Sequence, residues 1–190
     1  MRRIYQYILD VTGWKVVNKL PEHLKKCIVI AAPHTSNWDF FYAMAFLSIL
    51  KIKSRFTIKK EWMRFPFSLI TKPLGGIAID RRPRHVGEPR RSFIDVMVEL
   101  FNQNKELIIV VTPEGTRSKV EKWKSGFYHI ALQANVPICL GFVDYKDKIT
   151  GIGQVLYPTN FENDMRIIMN FYKQFHGKNP HQFSVDKDFE

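Results

Sequence analysis

The sequence predicts a single α/β domain with a mainly parallel central sheet flanked by helices on both faces. Two observations carry this expectation. Short runs rich in β-branched residues, at 27–32, 55–59, 77–80, 107–112 and 136–143, alternate with stretches of helical period at 37–50, 92–103, 125–135 and 161–175, the pattern of crossover helices packed on a parallel sheet. Several of those runs also lead into polar, glycine-containing turns, where open α/β sheets place their ligands. With 190 residues, 45% of them hydrophobic, the chain is long enough for one substantial core and short for two.

Taken in order, Ile4, Tyr7, Ile8 and Val11 recur at helical spacing and Thr12-Gly13 ends the pattern, so residues 1–20 begin with a short amphipathic helix. Arg2, Arg3, Lys15 and Lys19 flank it, and Trp14 is an aromatic of the kind that settles at a membrane interface. The same stripe serves equally for packing on the domain itself, and both readings stand. Cys27–Ala32 reads as a buried strand and Asn37–Leu50 as a helix, with Ser36 and Asp39 in a capping-box spacing at its start. Arg55–Lys59 is a second strand. The stretch from Lys59 to Phe67 then mixes basic with bulky apolar residues, a composition suited to a lipid headgroup boundary. Gly75-Gly76 turns into a strand that ends at Asp80-Arg81-Arg82, and Pro83 and Pro89 bracket a basic loop. Ser92–Gln103 is a capped amphipathic helix, and Leu107–Thr112 a strand running into Pro113-Glu114-Gly115-Thr116-Arg117. Helix 125–135, strand 136–143, a final strand at 149–156 and helix 161–175 complete the pattern, and the tail after Gly177 reads as loosely ordered.

Charge narrows the partners. The net charge is +11, and between Lys51 and Arg91 twelve Lys or Arg stand against Glu61, Asp80 and Glu88. Such a segment seeks a polyanion, an anionic membrane surface or nucleic acid; a solvated basic face is the plainer alternative. Cys27 and Cys139 lack metal-ligand or CxxC spacing, which points to buried free thiols and no metal site. The first residues lack the continuous apolar core of a signal peptide, and no apolar run reaches the roughly 20 residues needed to span a bilayer, so a cytoplasmic protein is expected. There is no GxSxG elbow, HExxH, P-loop or complete GxGxxG.

Two constellations remain. His34 and Asp39 place an imidazole and a carboxylate where a strand gives way to a helix. A carboxylate-held imidazole can act as a general base near neutral pH, whereas Asp39 alone can simply cap the helix. In the second, Glu114, Gly115, Thr116 and Arg117 bring a guanidinium that can clamp a phosphate, a glycine that admits a ligand and a hydroxyl. A glycine turn with a Glu114–Arg117 salt bridge is the structural alternative.

Together these stretches resemble the glycerolipid, or lysophosphatidic acid type, acyltransferases. His34–Asp39 resembles that family's HxxxxD block. Lys59-Lys60-Glu61 with Phe65-Pro66-Phe67 is similar to its lysine-containing second block, Gly76–Arg81 to its Ile-Asp-Arg block, Glu114–Ser118 to its Glu-Gly-Thr-Arg-Ser block, and Val136-Pro137-Ile138 to its last. After Ile138 this chain departs from the family's second proline with Cys139-Leu140-Gly141. The resemblance implies a glycerolipid acyltransferase-like fold and acyl transfer from acyl-CoA or acyl carrier protein to a lipid hydroxyl. It also implies His34 as base, Asp39 as its partner, and a phosphate clamp of Arg117 with Lys59 and Arg81, shaped by Glu114, Gly115 and Thr116. No cofactor or metal is implied. The expected partners are the lipid acceptor, the thioester donor and the inner face of an anionic membrane, rather than nucleic acid. A non-catalytic basic binding module and an acyl-thioester hydrolase are the competing functions.

Overall fold

Alternation along the central strand decides what each face of the sheet buries. In the computed structural model, which describes residues 2–58, 63–78 and 90–190, strand β2 (Lys26–Ala32) sends Ile28, Ile30 and Ala32 into one apolar cluster and Cys27 and Val29 into another. Successive side chains of a strand point to opposite faces, so an unbroken apolar run means a strand covered on both sides. On the first face lie α4 (Phe93–Gln103), α5 (Gly126–Ala134) and α6 (Phe161–Tyr172), which contribute Met97, Phe101, Tyr128, Ile130 and Met165 to the cluster. On the other face, α2 (Asn37–Ile49) buries Phe46 and Leu47 against Cys27, Val29 and Cys139. The α1 helix (Arg2–Thr12) adds Leu9 beside Trp14 and Ala45.

Among the described residues one seven-stranded sheet runs in the order β1, β7, β6, β2, β5, β3, β4, where β1 is Lys15–Val17, β3 Ser54–Ile58, β4 Gly76–Ala78, β5 Leu107–Val111, β6 Ile138–Asp144 and β7 Ile149–Leu156. All pairings are parallel except β6 with β7. Those two are joined by a four-residue turn, and so short a connection permits only an antiparallel return. The expected mainly parallel sheet with helices on both faces is therefore observed.

Local signals explain the helix starts. Ser36 and Asp39 form a full capping box on α2, and Ser92 and Asp95 one on α4; an N-cap of this kind contributes about 1 kcal/mol. Asn135 ends α5 in the left-handed region at φ 51°, a conformation Asn tolerates. Four features escaped the sequence reading or depart from it. Strand β1, only three residues long, and the four-residue α3 (Ser68–Thr71) give too little periodicity to detect. Trp14 does not sit at an interface: it is buried, stacked on Tyr42 at 3.9 Å between ring centroids. The tail expected to be loosely ordered turns back through two 3-10 turns, 180–182 and 187–189, and buries Val185 and Asp186. Asp186 accepts the Trp123 N–H at 2.7 Å, while the Trp123 indole donates to the Ser184 carbonyl at 3.1 Å. The two cysteines are buried free thiols, as the sequence implied. Contact with Cys139, together with burial, pushes the Cys27 thiol far up, so it is not poised for reaction.

Candidate active site

Strand β2 continues into α2 on one face of the sheet, whereas its parallel neighbour β5 continues toward α5 on the other. The chains leaving adjacent strands thus diverge, which opens a crevice at the strands' C-terminal ends. The segments after β2 and after β5 carry His34–Asp39 and Glu114–Arg117. The fold therefore brings the two sequence constellations to one sheet edge although they lie some eighty residues apart.

His34 Nδ1 lies 3.4 Å from Asp39 Oδ2, and Asp39 is buried. The carboxylate is heavily solvated by protein donors. Oδ2 accepts the Thr35 N–H at 2.6 Å and the Ser36 N–H at 2.7 Å; Oδ1 accepts the Ser36 hydroxyl at 2.9 Å and the Tyr145 hydroxyl at 2.8 Å. Burial opposes its ionisation, but His34, Ser36 and Tyr145 outweigh burial and hold the carboxyl below its ordinary range. Asp39 thus both caps the helix and contacts the imidazole. With Nδ1 turned to a fixed anion, the ring's remaining nitrogen, Nε2, is the one free to take a proton.

Glu114 comes from the β5 side and is buried. Its Oε1 accepts the backbone N–H of His34 at 3.2 Å, and Oε2 has no hydrogen-bond partner among the described residues. Burial pushes this carboxyl up to about 8, with the nearby Asp39 charge adding to the rise and the His34 N–H opposing it. The Glu114–Arg117 salt bridge that the sequence allowed is not formed between these described residues. Glu114 turns inward to brace the His34 segment, and exposed Arg117 donates to the Asn37 side chain at the first turn of α2. Gly115 adopts φ 68°, a left-handed turn that favours glycine. Thr116 is exposed and accepts the Ser118 N–H at 3.3 Å. Lys59 and Arg81, the other two expected phosphate contacts, lie outside the described residues.

Two supports were not legible in the sequence. Tyr145, in the β6–β7 turn, reaches Asp39 across 106 residues. Asn179, in the tail, donates to the Thr35 carbonyl at 2.9 Å and, through its backbone, to the Thr35 hydroxyl at 3.2 Å. The close approach needs Gly177, because a Cβ there would fall 2.7 Å from Thr35 side-chain atoms. No pattern of residue types marks either contact. Among the described residues no three His, Cys, Asp or Glu side chains are grouped as metal ligands.

Comparison with known proteins gives the family. A family model described as Acyltransferase matches residues 10–139. The 1-acyl-sn-glycerol-3-phosphate acyltransferases of Limnanthes alba and Limnanthes douglasii are each 32% identical to this chain over 122 residues, which is 62% of this chain and 41% of theirs. The match thus spans less than half the length of those relatives. Since the family match covers more than half of the chain and includes His34, Asp39 and Glu114–Arg117, the chain belongs to the Acyltransferase family.

Proposed function

We propose that the chain is an O-acyltransferase that moves an acyl group from a thioester donor, acyl-CoA or acyl carrier protein, to the hydroxyl of a lysophospholipid-like acceptor. The observation that carries this reading is the Asp39-held His34 at the same sheet edge as Arg117. In the reaction His34 Nε2 takes the acceptor hydroxyl's proton as its oxygen attacks the thioester carbonyl. The tetrahedral intermediate then collapses, the C–S bond breaks, and the departing thiolate receives the proton from the imidazolium. Asp39 stabilises the imidazolium without itself taking the proton. Atoms and charge balance without a covalent acyl-enzyme or a cofactor. Arg117, joined by Lys59 and Arg81, holds the acceptor's phosphate, and Gly115 and Thr116 shape the approach. The relatives' name, 1-acyl-sn-glycerol-3-phosphate acyltransferase, makes a phosphate-bearing monoacylglycerol the first acceptor to test.

Labelled acyl donor presented to a panel of lipid acceptors, read by product mass, tests class and substrate together. An ester product supports the reading; free fatty acid released at the same rate with and without acceptor identifies a hydrolase instead. In that assay Arg117→Ala should raise the KM for a phosphate-bearing acceptor at least tenfold and leave that for a neutral acceptor within about twofold, because a charge-assisted contact contributes on the order of 1.5–3 kcal/mol. Equal effects on both acceptors remove the clamp role.

We propose that the reaction takes place at a membrane surface. Among the described residues no helix is long and apolar enough to cross a membrane. Ile4, Tyr7 and Val11 on α1 are exposed, as are Phe65, Leu69 and Ile70 at and before α3. Tyr5 of α1 and Pro73 and Leu74 after α3 line one cleft, so both elements lie on the same side of the molecule. Arg2 and Arg3 of α1, and Arg64 and Lys72 on either side of α3 in the sequence, are exposed as well. An apolar stripe edged with cations suits an anionic leaflet, each cation adding about 1 kcal/mol near the surface. Co-sedimentation with vesicles of phosphatidylcholine and phosphatidylglycerol should fall at least tenfold in the double variant Val11→Asp/Leu69→Asp; unchanged binding would place the membrane contact elsewhere.

A further inference from the structure

The last stretch of the chain runs along the sheet edge that holds the site and touches each loop that builds it. It starts where the His176 N–H donates to Asp144 Oδ1 at 3.1 Å and the His176 carbonyl accepts the Tyr145 N–H at 2.9 Å. Gly177 then passes so close to Thr35 that a Cβ would fall 2.7 Å from its side chain. Asn179 follows, its side-chain amide donating to the Thr35 carbonyl at 2.9 Å and its backbone N–H to Thr35 Oγ1 at 3.2 Å. The Gln182 amide, with its nitrogen toward the carbonyls of Thr35 and Arg117, donates to each at 3.0 Å. Beyond it, the Trp123 indole donates to the Ser184 carbonyl and the Lys187 N–H to the Glu121 carbonyl, both at 3.1 Å, which ties the far end to the segment after the Arg117 turn. All of these tail residues follow residue 139, where the family match ends.

These contacts converge on Asp39. The peptide joining Thr35 to Ser36 is trans, so its carbonyl and its N–H point in opposite directions from one rigid plane. The tail grips the carbonyl, and the N–H on the other side donates to Asp39 Oδ2 at 2.7 Å. Tyr145, whose hydroxyl donates to Asp39 Oδ1 at 2.8 Å, is held by its backbone to His176. We propose that residues 176–182 are a strap that fixes this peptide plane, and with it the approach of Asp39 to His34, making Asn179 and Gln182 positioning residues for the pair. Both act through Thr35. Gln182 also joins that plane to the Arg117 carbonyl, so one side chain sets the two site loops relative to each other. The catalytic part of this proposal rests on the acyl-transfer reading; the geometric part does not.

Two measurements on Asn179→Ala, Gln182→Ala and the double variant test it. The first, amide hydrogen exchange at Thr35 and Ser36, needs no substrate. Exchange there should quicken about tenfold or more in the double variant, while the β2 amides keep their wild-type rates. The second is steady-state acyl transfer, run well below the unfolding midpoint. There kcat should fall about tenfold in Asn179→Ala and about 10²-fold in the double variant, the scale of loss that a small misplacement of a catalytic group produces. The KM for the acyl donor should stay within about twofold. Gly177→Ala, which removes no side-chain hydrogen bond but crowds Thr35, should repeat the Asn179→Ala pattern. Circular dichroism checks that each variant is folded. A tail that only adds stability would lower the unfolding midpoint and leave both kcat and the Thr35 and Ser36 exchange rates unchanged at the assay temperature. That result overturns the proposal, as does a loss confined to KM. Should the wild type transfer no acyl group, the exchange rates still decide the geometric claim, so failure of the strap and failure of the acyl-transfer reading are told apart.

Discussion

His34→Ala should lower kcat/KM for acyl transfer by about 10³-fold, the usual contribution of a positioned general base, while moving the unfolding midpoint by only a few degrees. Among the described residues the imidazole's polar contact is the 3.4 Å approach to Asp39, which keeps four other donor contacts when the ring is removed. Asp39→Asn is the informative partner. It should reduce activity by a comparable factor but also destabilise the fold, because an amide –NH₂ in place of one carboxylate oxygen would face donors from the Thr35 and Ser36 backbone or from the Ser36 and Tyr145 hydroxyls. A buried mismatch of that kind costs on the order of 1–3 kcal/mol. Kinetics and thermal unfolding on both variants read the two effects separately. Full activity in His34→Ala ends the general-base mechanism; an Asp39→Asn protein as stable as wild type contradicts the account of Asp39 as the anchor of this loop.

The contrast between those variants also marks what a sequence carries. The Ser36-to-Asp39 capping box is local, so its residue spacing alone predicts the geometry found in α2. The apolar runs of β2 and β5 predict buried parallel strands, and parallel strands bring their ends to one edge, so the meeting of His34 with the Glu114–Arg117 turn was foreseeable from topology. The direction of individual side chains was not. Glu114 sits in a polar turn three residues before an arginine, where a solvated ion pair is the ordinary expectation. Only the crevice shows that it points inward to the His34 N–H. Trp14 illustrates the same limit: an aromatic after an amphipathic helix serves a membrane interface or a core equally well, and the presence of Tyr42 and Tyr145 opposite it decides for the core. Tyr145 and Asn179 were invisible because each acts through hydrogen bonds to a single residue more than a hundred positions away, a relation with no period and no motif.

The inward turn of Glu114 has a measurable consequence for stability. Its carboxyl is raised from an ordinary 4.5 to about 8, first by burial and then by the Asp39 charge. Below pH 4.5 the group is protonated in both folded and unfolded chains and the stability it permits is fully present. As pH rises from there toward 8, the unfolded chain releases this proton while the folded chain retains it, so stability falls. The slope approaches 1.4 kcal/mol per pH unit, and the loss from this group between pH 5 and pH 8 is roughly 3 kcal/mol. Above 8 the folded group ionises too and the loss levels off. Glu114→Gln keeps an oxygen for the His34 N–H and cannot ionise, so it should remove this slope whatever constant offset its new amide introduces. The wild-type unfolding midpoint should therefore drop relative to the variant by about 6–12 °C between pH 5 and pH 8, since 1 kcal/mol corresponds to about 2–4 °C at this chain length. Taking the difference between the two proteins cancels every other titrating group that they share. Parallel midpoint curves across that window would mean that Glu114 is ionised in the folded protein and that its unpartnered oxygen is held by something other than a proton. A wild-type midpoint that falls relative to that of the variant as pH rises from 5 to 8 would establish a neutral carboxylic acid braced beneath the His34 segment.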